Sequence, residues 1–164
     1  METTDKQSTE FRAGMRLLAG GVTIVTSKFN GIEAGLTATA VCSLSATPPR
    51  LLACVNLYGA AYNAIAQSRL LTVNVLAHDQ EELARCFAGQ FGESSHDRFA
   101  YGSWLRNGEA PPVLRDALVS FECFVSEMLV VQTHAVMLGD VQAVNVGRPA
   151  SALLYADGDF RHIK

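Results

Sequence analysis

Charge is scarce in this chain, and no part of it is strongly basic. Charged residues make up 18% of the 164 residues, the formal net charge is −3, and the pI is about 5.8. Lysine and arginine form no runs, so an electrostatic patch for nucleic acid or anionic lipid has no support. We therefore expect neither nucleic acid nor a membrane as a partner.

The sequence also lacks an uninterrupted apolar run of membrane-spanning length, although 49% of it is hydrophobic and the mean hydropathy is +0.16. It begins with METTDKQSTE, which contains no apolar segment of the kind found in secretory signals. A short chain with so many apolar residues can bury part of its surface against a second copy of itself. A homodimer is one expectation, and a well-filled monomer is the alternative.

Paired or clustered cysteines are absent as well. Cys42, Cys54, Cys86 and Cys123 form no C-x-x-C pair, and no histidine stands beside them at zinc-like spacing. All four lie in apolar sequence, which favours inert, reduced core thiols. We expect no metal site and a cytoplasmic protein.

Familiar catalytic and nucleotide-binding motifs are missing too. The chain has no Gly-x-Gly-x-x-Gly or Walker loop, no serine nucleophile elbow, no H-E-x-x-H and no paired carboxylate signature. Hydrolase chemistry therefore has little support. Four histidines remain as candidates: His78, His96, His134 and His162.

The first half of the chain carries clear signals of a helix followed by strands. Phe11, Met15 and Leu18 recur at helical spacing before Gly20-Gly21, which predicts a helix that the glycine pair ends. Two strand-like runs flank Asn30-Gly31, the preferred dipeptide of a type I′ turn, and predict a hairpin. Pro48-Pro49 predicts a break in the strand pairing.

In the middle of the chain, residues 60–68 and 79–89 predict short helices on either side of a buried strand at 70–76. Asp79 and Glu82 have the spacing of a capping box.

Two further strand pairs are predicted after a loop over residues 89–112, in which aromatic side chains hold the chain down. Residues 117–146 predict one antiparallel pair, and residues 152–163 predict another about Asp157-Gly158. Six to eight strands with three short helices favour a closed antiparallel barrel over a Rossmann domain.

The stretch GLTATAVCSLSATPPRLLACVN, residues 35–56, is unusual for a buried strand because small and hydroxyl residues interrupt it. Thr37, Thr39, Ser43 and Ser45 fall on odd positions, so an unbroken strand would place them on one face. Such a row of hydroxyl groups and nearby backbone N–H groups can bind a flat heteroaromatic edge and a phosphate. The alternative is a solvated face of an edge strand.

An ordered set of segments resembles the flavin reductase family with the FMN-binding split β-barrel. The segments are GVTIVTS, the stretch just described, LLTVNVLAHDQEELARCFAG, RF, THAVMLGDV and LLY, and they run from about residue 11 to the C-terminus. The resemblance implies a mainly β fold, an antiparallel, Greek-key-like split barrel with a few short helices. It implies one domain over residues 1–164.

The resemblance also implies a set of cofactor-contacting residues. The segment Thr37, Ala38, Thr39 and Ala40 matches the part that lies along the isoalloxazine ring and bonds it through the backbone. Ser43, Leu44 and Ser45 match a segment near the ribityl chain and phosphate. The remaining matches are Asn56, Ala60, Ala61, Phe87 and Gly89. Relatives often carry a hydroxyl residue at the position of Ala60, so in this chain a phosphate contact there is either lost or made by a backbone N–H.

His134 matches the histidine that stands by the nicotinamide and flavin in the family's Gly-Asp/Thr-His motif. This chain reads Gln132-Thr133-His134, so the glycine is replaced. A histidine that only satisfies local structure in a β barrel is the alternative.

The activity implied by the resemblance is hydride transfer from NADH or NADPH to FMN or FAD, within a homodimer that supplies reduced flavin to a monooxygenase. Lys28, Arg50 and Arg85 are candidates to balance the flavin phosphate, and Tyr155 is a candidate to border the nicotinamide. Two alternatives remain open: a flavoprotein that reduces a bound acceptor such as a corrin cobalt, and a non-catalytic flavin- or haem-binding barrel.

Overall fold

The computed structural model describes residues 2–163, which form three α-helices, one 3-10 helix and twelve strands. The helices are α1 (Glu2–Arg16), α2 (Ala60–Ser68), α3 (Glu81–Phe87) and the 3-10 helix Asp97–Ala100. The first six strands are β1 (Gly20–Gly21), β2 (Thr23–Phe29), β3 (Ile32–Ala38), β4 (Val41–Ala46), β5 (Pro49–Asn56) and β6 (Leu70–Val75). The others are β7 (Trp104–Leu105), β8 (Val113–Leu114), β9 (Val119–Val131), β10 (His134–Val146), β11 (Leu153–Ala156) and β12 (Asp159–His162).

Seven strands form one antiparallel sheet in the order β3-β2-β6-β9-β10-β5-β4. A smaller sheet has the order β1-β11-β12, and β7 pairs with β8. The fold is therefore mainly β, as predicted. The two outermost strands of the large sheet, β3 and β4, are consecutive in the sequence.

The predicted hairpin joins β2 and β3. Its turn residues have left-handed φ angles, 50° at Asn30 and 76° at Gly31, which is the backbone that makes Asn-Gly the preferred pair here. Thr47 and Pro48 form a second turn, between β4 and β5, and Pro49 begins β5, where it is paired with Ala46. Both breaks in the strands confirm the sequence predictions.

The interior contains three apolar clusters, and the two larger ones lie on opposite sides of shared strands. The first cluster lies within the large sheet and includes Val25, Val73 and Met137. The second lies under α3 and the long loop and includes Ile24 and Leu76. Because neighbouring residues of a strand point to opposite faces, β2 contributes to both clusters.

The prediction of a capping box at α3 is wrong. The helix begins after Gln80, and no side chain caps it. Asp79 instead forms an ion pair with Arg148, far along the chain, which lowers the pKa of the Asp79 carboxyl group. Gly89 does follow the helix, and its φ of +79° is the left-handed conformation expected after a helix end.

Helix α1 is present as predicted, but it ends at Arg16 rather than at the glycine pair. Gly20 and Gly21 form the short strand β1, which pairs with Tyr155 and Leu154 of β11. Within residues 2–163, no helix is long and apolar enough to span a membrane.

Candidate functional site

The junction between β3 and β4 is where the chain crosses from one edge of the large sheet to the other. β3 ends at Ala38 and β4 begins at Val41, so Thr39 and Ala40 lie between the two strands. The N–H group of Cys54 donates to the Ala40 carbonyl at 2.9 Å, which fixes this junction beside β5. Thr39 and Ala40 are both exposed at this bend, so a flat ligand can approach the chain there.

Asn56 and His134 lie directly opposite each other in the β5–β10 register, next to this junction. The Leu57 N–H donates to the Thr133 carbonyl at 3.0 Å and holds the two strand ends together. The His134 ring nitrogen Nδ1 is 2.8 Å from the Thr133 hydroxyl, and the side chain is exposed. When that hydroxyl donates to Nδ1, Nε2 carries the proton and is available as a donor.

The turn before His134 keeps its form although the glycine is replaced. Gln132 has a φ of 54°, the left-handed conformation that favours glycine, and β9 and β10 are paired up to this turn. The substitution therefore changes the side chain at the turn without removing the strand pairing that positions His134.

The N-terminus of α2 lies close to Asn56 along the chain. Gly59 precedes the helix, and no side chain forms a capping hydrogen bond to the first turn. Ala60 is exposed, whereas Ala61 is buried against β3. Without a capping side chain, the first N–H groups of this nine-residue helix form a site of partial positive charge.

Thr37, Phe87 and Gly89 lie apart from this group, on the side of β3 that faces α3. The Thr37 hydroxyl donates to the Ala84 carbonyl at 2.6 Å. Phe87 is 1% exposed and packs against the rings of Phe99 and Trp104 at 5.1 and 5.4 Å. The Thr37 hydroxyl and the Phe87 ring are thus engaged within the protein, so only neighbouring backbone groups are available to a ligand.

Ser43 and Ser45 do not continue one face from Thr37. The strand breaks after Ala38, and a register shift at Leu44 pairs Ser43 with Leu51 but Ser45 with Arg50. The spacing that keeps alternate residues on one face is thereby lost, because a bulge adds a residue to one strand.

The two serines still border one cavity. Its volume is about 380 Å³, and most of its other lining side chains are apolar. The Ser45 hydroxyl donates to the Pro48 carbonyl at 2.5 Å. Leu44, between the two serines in the chain, is exposed.

The prediction that all four cysteines are core thiols is wrong for Cys42. It is exposed because β4 is an edge strand, and Cys54 is half-buried. Cys86 and Cys123 are buried, and burial raises the pKa of the Cys123 thiol to about 12. No group of three or more metal-ligating side chains occurs among the described residues.

The three cations considered for a phosphate are already engaged with the protein. Arg50 contacts Asp140 at 2.6 Å, Arg85 contacts Glu81 at 2.6 Å, and the Lys28 ammonium donates to the Gly108 carbonyl at 2.7 Å. The partners of Arg50 and Lys28 are distant in sequence, so sequence spacing could not show that these two side chains are engaged.

A second depression, which we call the α1 groove, adjoins the β3–β4 junction and has a volume of about 1090 Å³. It is lined by α1 residues including Phe11, Arg12, Met15 and Arg16, by Leu18 just after the helix, and by Gly20, Gly21, Thr39, Ala40, Val41, Tyr155 and Gly158. The sequence analysis missed Arg12 and Arg16, although their i, i+4 spacing on a predicted helix was a usable signal.

Comparison with known proteins decides the family. The model of the flavin reductase like domain matches residues 15–164. The chain belongs to this family. This confirms the resemblance on which the predicted site was based.

Relatives within the family match most of the chain. An FMN reductase (NADH) from Methylorubrum extorquens is 41% identical over 92% of this chain and 74% of its own length. The 4-hydroxyphenylacetate 3-monooxygenase reductase component of Escherichia coli is 36% identical over 92% of this chain and 89% of its own length. The crystal structure of a flavin reductase domain protein from an Arthrobacter species has a TM-score of 0.86 and 31% identity, covering 96% of each chain.

Proposed function

We propose that the protein is an NADH-dependent FMN reductase that supplies reduced flavin to a partner monooxygenase. The observation that carries the proposal is the position of His134 opposite Asn56, beside the accessible backbone of Thr39 and Ala40. Family membership and the names of the relatives from M. extorquens and E. coli support NADH, FMN and a two-component system.

The residues at the β3–β4 junction fit a flavin ring. Ala38 and Ala40 have short side chains, so backbone amides of this segment can approach a planar ring and donate to its polar edge. The side-chain oxygen of Asn56 accepts from the Tyr58 N–H at 2.9 Å, so the Asn56 amide nitrogen is the group left for a ligand. Thr37 and Phe87 contribute through the position of the backbone, since their side chains are occupied elsewhere.

We place the flavin tail along β4 and toward the N-terminus of α2, as the family resemblance implies. Ser43 and Ser45 border the cavity beside β4, and Leu44 between them is exposed. The uncapped N–H groups at Ala60 and Ala61 provide donors for the phosphate, in place of the hydroxyl that relatives carry at Ala60. Gly89 stands at the end of α3, on the α3 side of β3.

Bound FMN would supply N5 as the hydride acceptor for NADH, chemistry that depends on close stacking of two rings more than on acid–base help. His134 would position the nicotinamide, with Nε2 as a hydrogen-bond donor to it. The amides around Thr39 would stabilise the negative charge that develops on the reduced ring.

The large sheet supports a closed, split barrel arrangement as the frame of this site. Its two outer strands are joined by two residues, and the Cys54–Ala40 hydrogen bond connects β5 to their junction. We take residues 1–164 as one such domain. The two buried thiols and the other two free cysteines agree with a cytoplasmic location.

A homodimer would complete the site. Leu129, Val130 and Val131 are exposed at the end of β9, and Val131 is paired with His134. Apolar side chains in solvent favour contact with a second copy, which would bring the partner close to each cofactor.

The proposal is tested by mixing the purified protein with NADH and FMN and following the NADH absorbance band. We expect sustained consumption that requires both. In the His134→Ala variant, turnover should fall about tenfold, equivalent to about 1.4 kcal/mol, because the nicotinamide loses a positioning contact. FMN affinity, measured by flavin fluorescence, should change much less.

His96→Ala is the matched control, since His96 is exposed in the long loop and outside the proposed site. Unchanged turnover of His134→Ala at saturating NADH and FMN would remove the role given to His134. Absence of NADH consumption by the wild-type protein would exclude the reductase.

A further inference from the structure

Helix α1 presents its apolar stripe to a groove instead of to a core. Phe11 and Met15 of this helix, and Leu18 two residues after its end, are 66%, 48% and 68% exposed, and all three line the α1 groove. The facing wall contains Thr39, Ala40 and Tyr155. An apolar and aromatic surface that faces open space is typical of a binding site.

The α1 groove also carries positive charge without a compensating carboxylate. Arg12 and Arg16 both line it, and no aspartate or glutamate does. In the part of the chain that the structure describes, neither arginine forms an ion pair. Since the whole chain has a net charge of −3, this groove is a local exception that suits an anionic ligand.

Arg16 is held in place by the turn between β11 and β12. Its Nη2 donates to the Asp157 carbonyl at 3.2 Å, and the Asp157 N–H donates to the Arg16 carbonyl at 2.5 Å. Gly158 has a φ of +77°, and a Cβ atom there would overlap the Arg16 guanidinium. The guanidinium is therefore fixed by a neutral carbonyl, which leaves its charge available to a ligand.

We propose that the α1 groove binds the pyrophosphate and adenosine part of the pyridine dinucleotide, with Arg12 and Arg16 as the cationic partners of the pyrophosphate. This inference rests on the proposed reductase function. The groove starts at Thr39 and Ala40, where the flavin is proposed to lie, so a dinucleotide stacked there by its nicotinamide extends along α1. Phe11 and Tyr155 provide aromatic surface for the adenine.

The test uses ADP-ribose, which has the adenine and pyrophosphate but no nicotinamide, in titration calorimetry with the FMN-loaded protein. We expect binding that weakens as salt is added, because the contact is electrostatic. Arg12→Gln and Arg16→Gln should each weaken ADP-ribose binding and raise the KM for NADH by about tenfold. Both variants should keep the wild-type kcat and FMN affinity.

Lys6→Gln is the matched control, because Lys6 lies on the same helix but does not line the groove. It should behave as the wild type does. An unchanged KM for NADH in both arginine variants of an active enzyme would overturn the inference and leave the proposed function intact.

Two other outcomes would assign the groove to a different occupant. Weaker FMN binding with an unchanged KM for NADH would mean that the arginines hold the flavin phosphate. A change from dimer to monomer in sedimentation of the variants would mean that a second copy fills the groove. A wild-type protein that binds ADP-ribose but oxidises no NADH would refute the reductase function and, with it, the role of the groove in catalysis.

Discussion

At the scale of single residues, Asn74 joins three separate parts of the chain through one buried side chain. It is 0% exposed, its Nδ2 donates to the Ile24 carbonyl at 3.0 Å, and its Oδ1 accepts from the Leu114 N–H at 2.9 Å. The same oxygen accepts from the Ser120 hydroxyl at 2.8 Å. Asn74→Ala should lower the free energy of unfolding by about 2–4 kcal/mol, because all three partners stay buried and unpaired.

Urea unfolding followed by the fluorescence of Trp104, the single tryptophan, measures this effect. Asn63→Ala is the control, since Asn63 is exposed on α2 and should change the free energy by no more than about 0.5 kcal/mol. Equal effects of the two substitutions would show that Asn74 is not a structural bridge.

At the scale of elements, an ion pair joins the long loop to β3. The Glu33 side chain is 7% exposed and accepts from Arg106 Nε and Nη2 at 2.7 and 3.1 Å. Arg106→Ala should lower the free energy of unfolding by about 1–3 kcal/mol, since it leaves a buried carboxylate without its partner. The double variant Glu33→Gln/Arg106→Ala should be more stable than Arg106→Ala alone, because it removes the unpaired charge.

Arg161→Ala is the matched surface control. Arg161 and its partner Asp159 are 56% and 53% exposed, so we expect a loss of no more than about 1 kcal/mol in the same urea measurement. If Arg106→Ala resembles this control, the buried ion pair does not hold the loop on β3.

Elements defined by local chemistry could be predicted from the sequence. The turn at Asn30-Gly31 needs left-handed backbone at both residues, and α2 was predicted with the bounds that the structure has. Capping of α3 could not be predicted in this way. The Asp79 carboxylate can either cap the helix or pair with Arg148. It pairs with Arg148, which only the fold brings near.

The face of a strand residue is equally hard to predict when the strand is irregular. Their odd positions predicted Thr37 and Ser45 on one face of a strand. The gap after Ala38 and the bulge at Leu44 interrupt the alternation on which that prediction depends. Neither irregularity has a local sequence signal as strong as Asn-Gly.

At the scale of the whole molecule, the candidate site depends on contacts that no local pattern specifies. Asn56 and His134 are brought together by the pairing of β5 with β10, and the α1 groove depends on β1 pairing with β11. The family resemblance indicated His134 and Asn56 as site residues without any knowledge of this strand pairing. It did not indicate Arg12 or Arg16, which were recognised only when α1 and β11 were seen together.

The two larger apolar clusters should unfold as one unit, and two buried cysteines allow a test. Cys123 belongs to the first cluster and Cys86 to the second. Strand β2 contributes Val25 to the first and Ile24 to the second, so loss of either cluster removes support from the other. We therefore expect both thiols to become reactive at the same urea concentration.

The measurement uses two variants, each with one of these cysteines and alanine at the other three positions, treated with a thiol reagent across a urea series. Burial raises the pKa of both thiols, so little thiolate forms in the folded protein and reaction reports opening. Equal midpoints, coincident with the Trp104 fluorescence transition, are the expected result. Modification of Cys86 at clearly lower urea would instead mean that α3 and the long loop open while the large sheet stays folded.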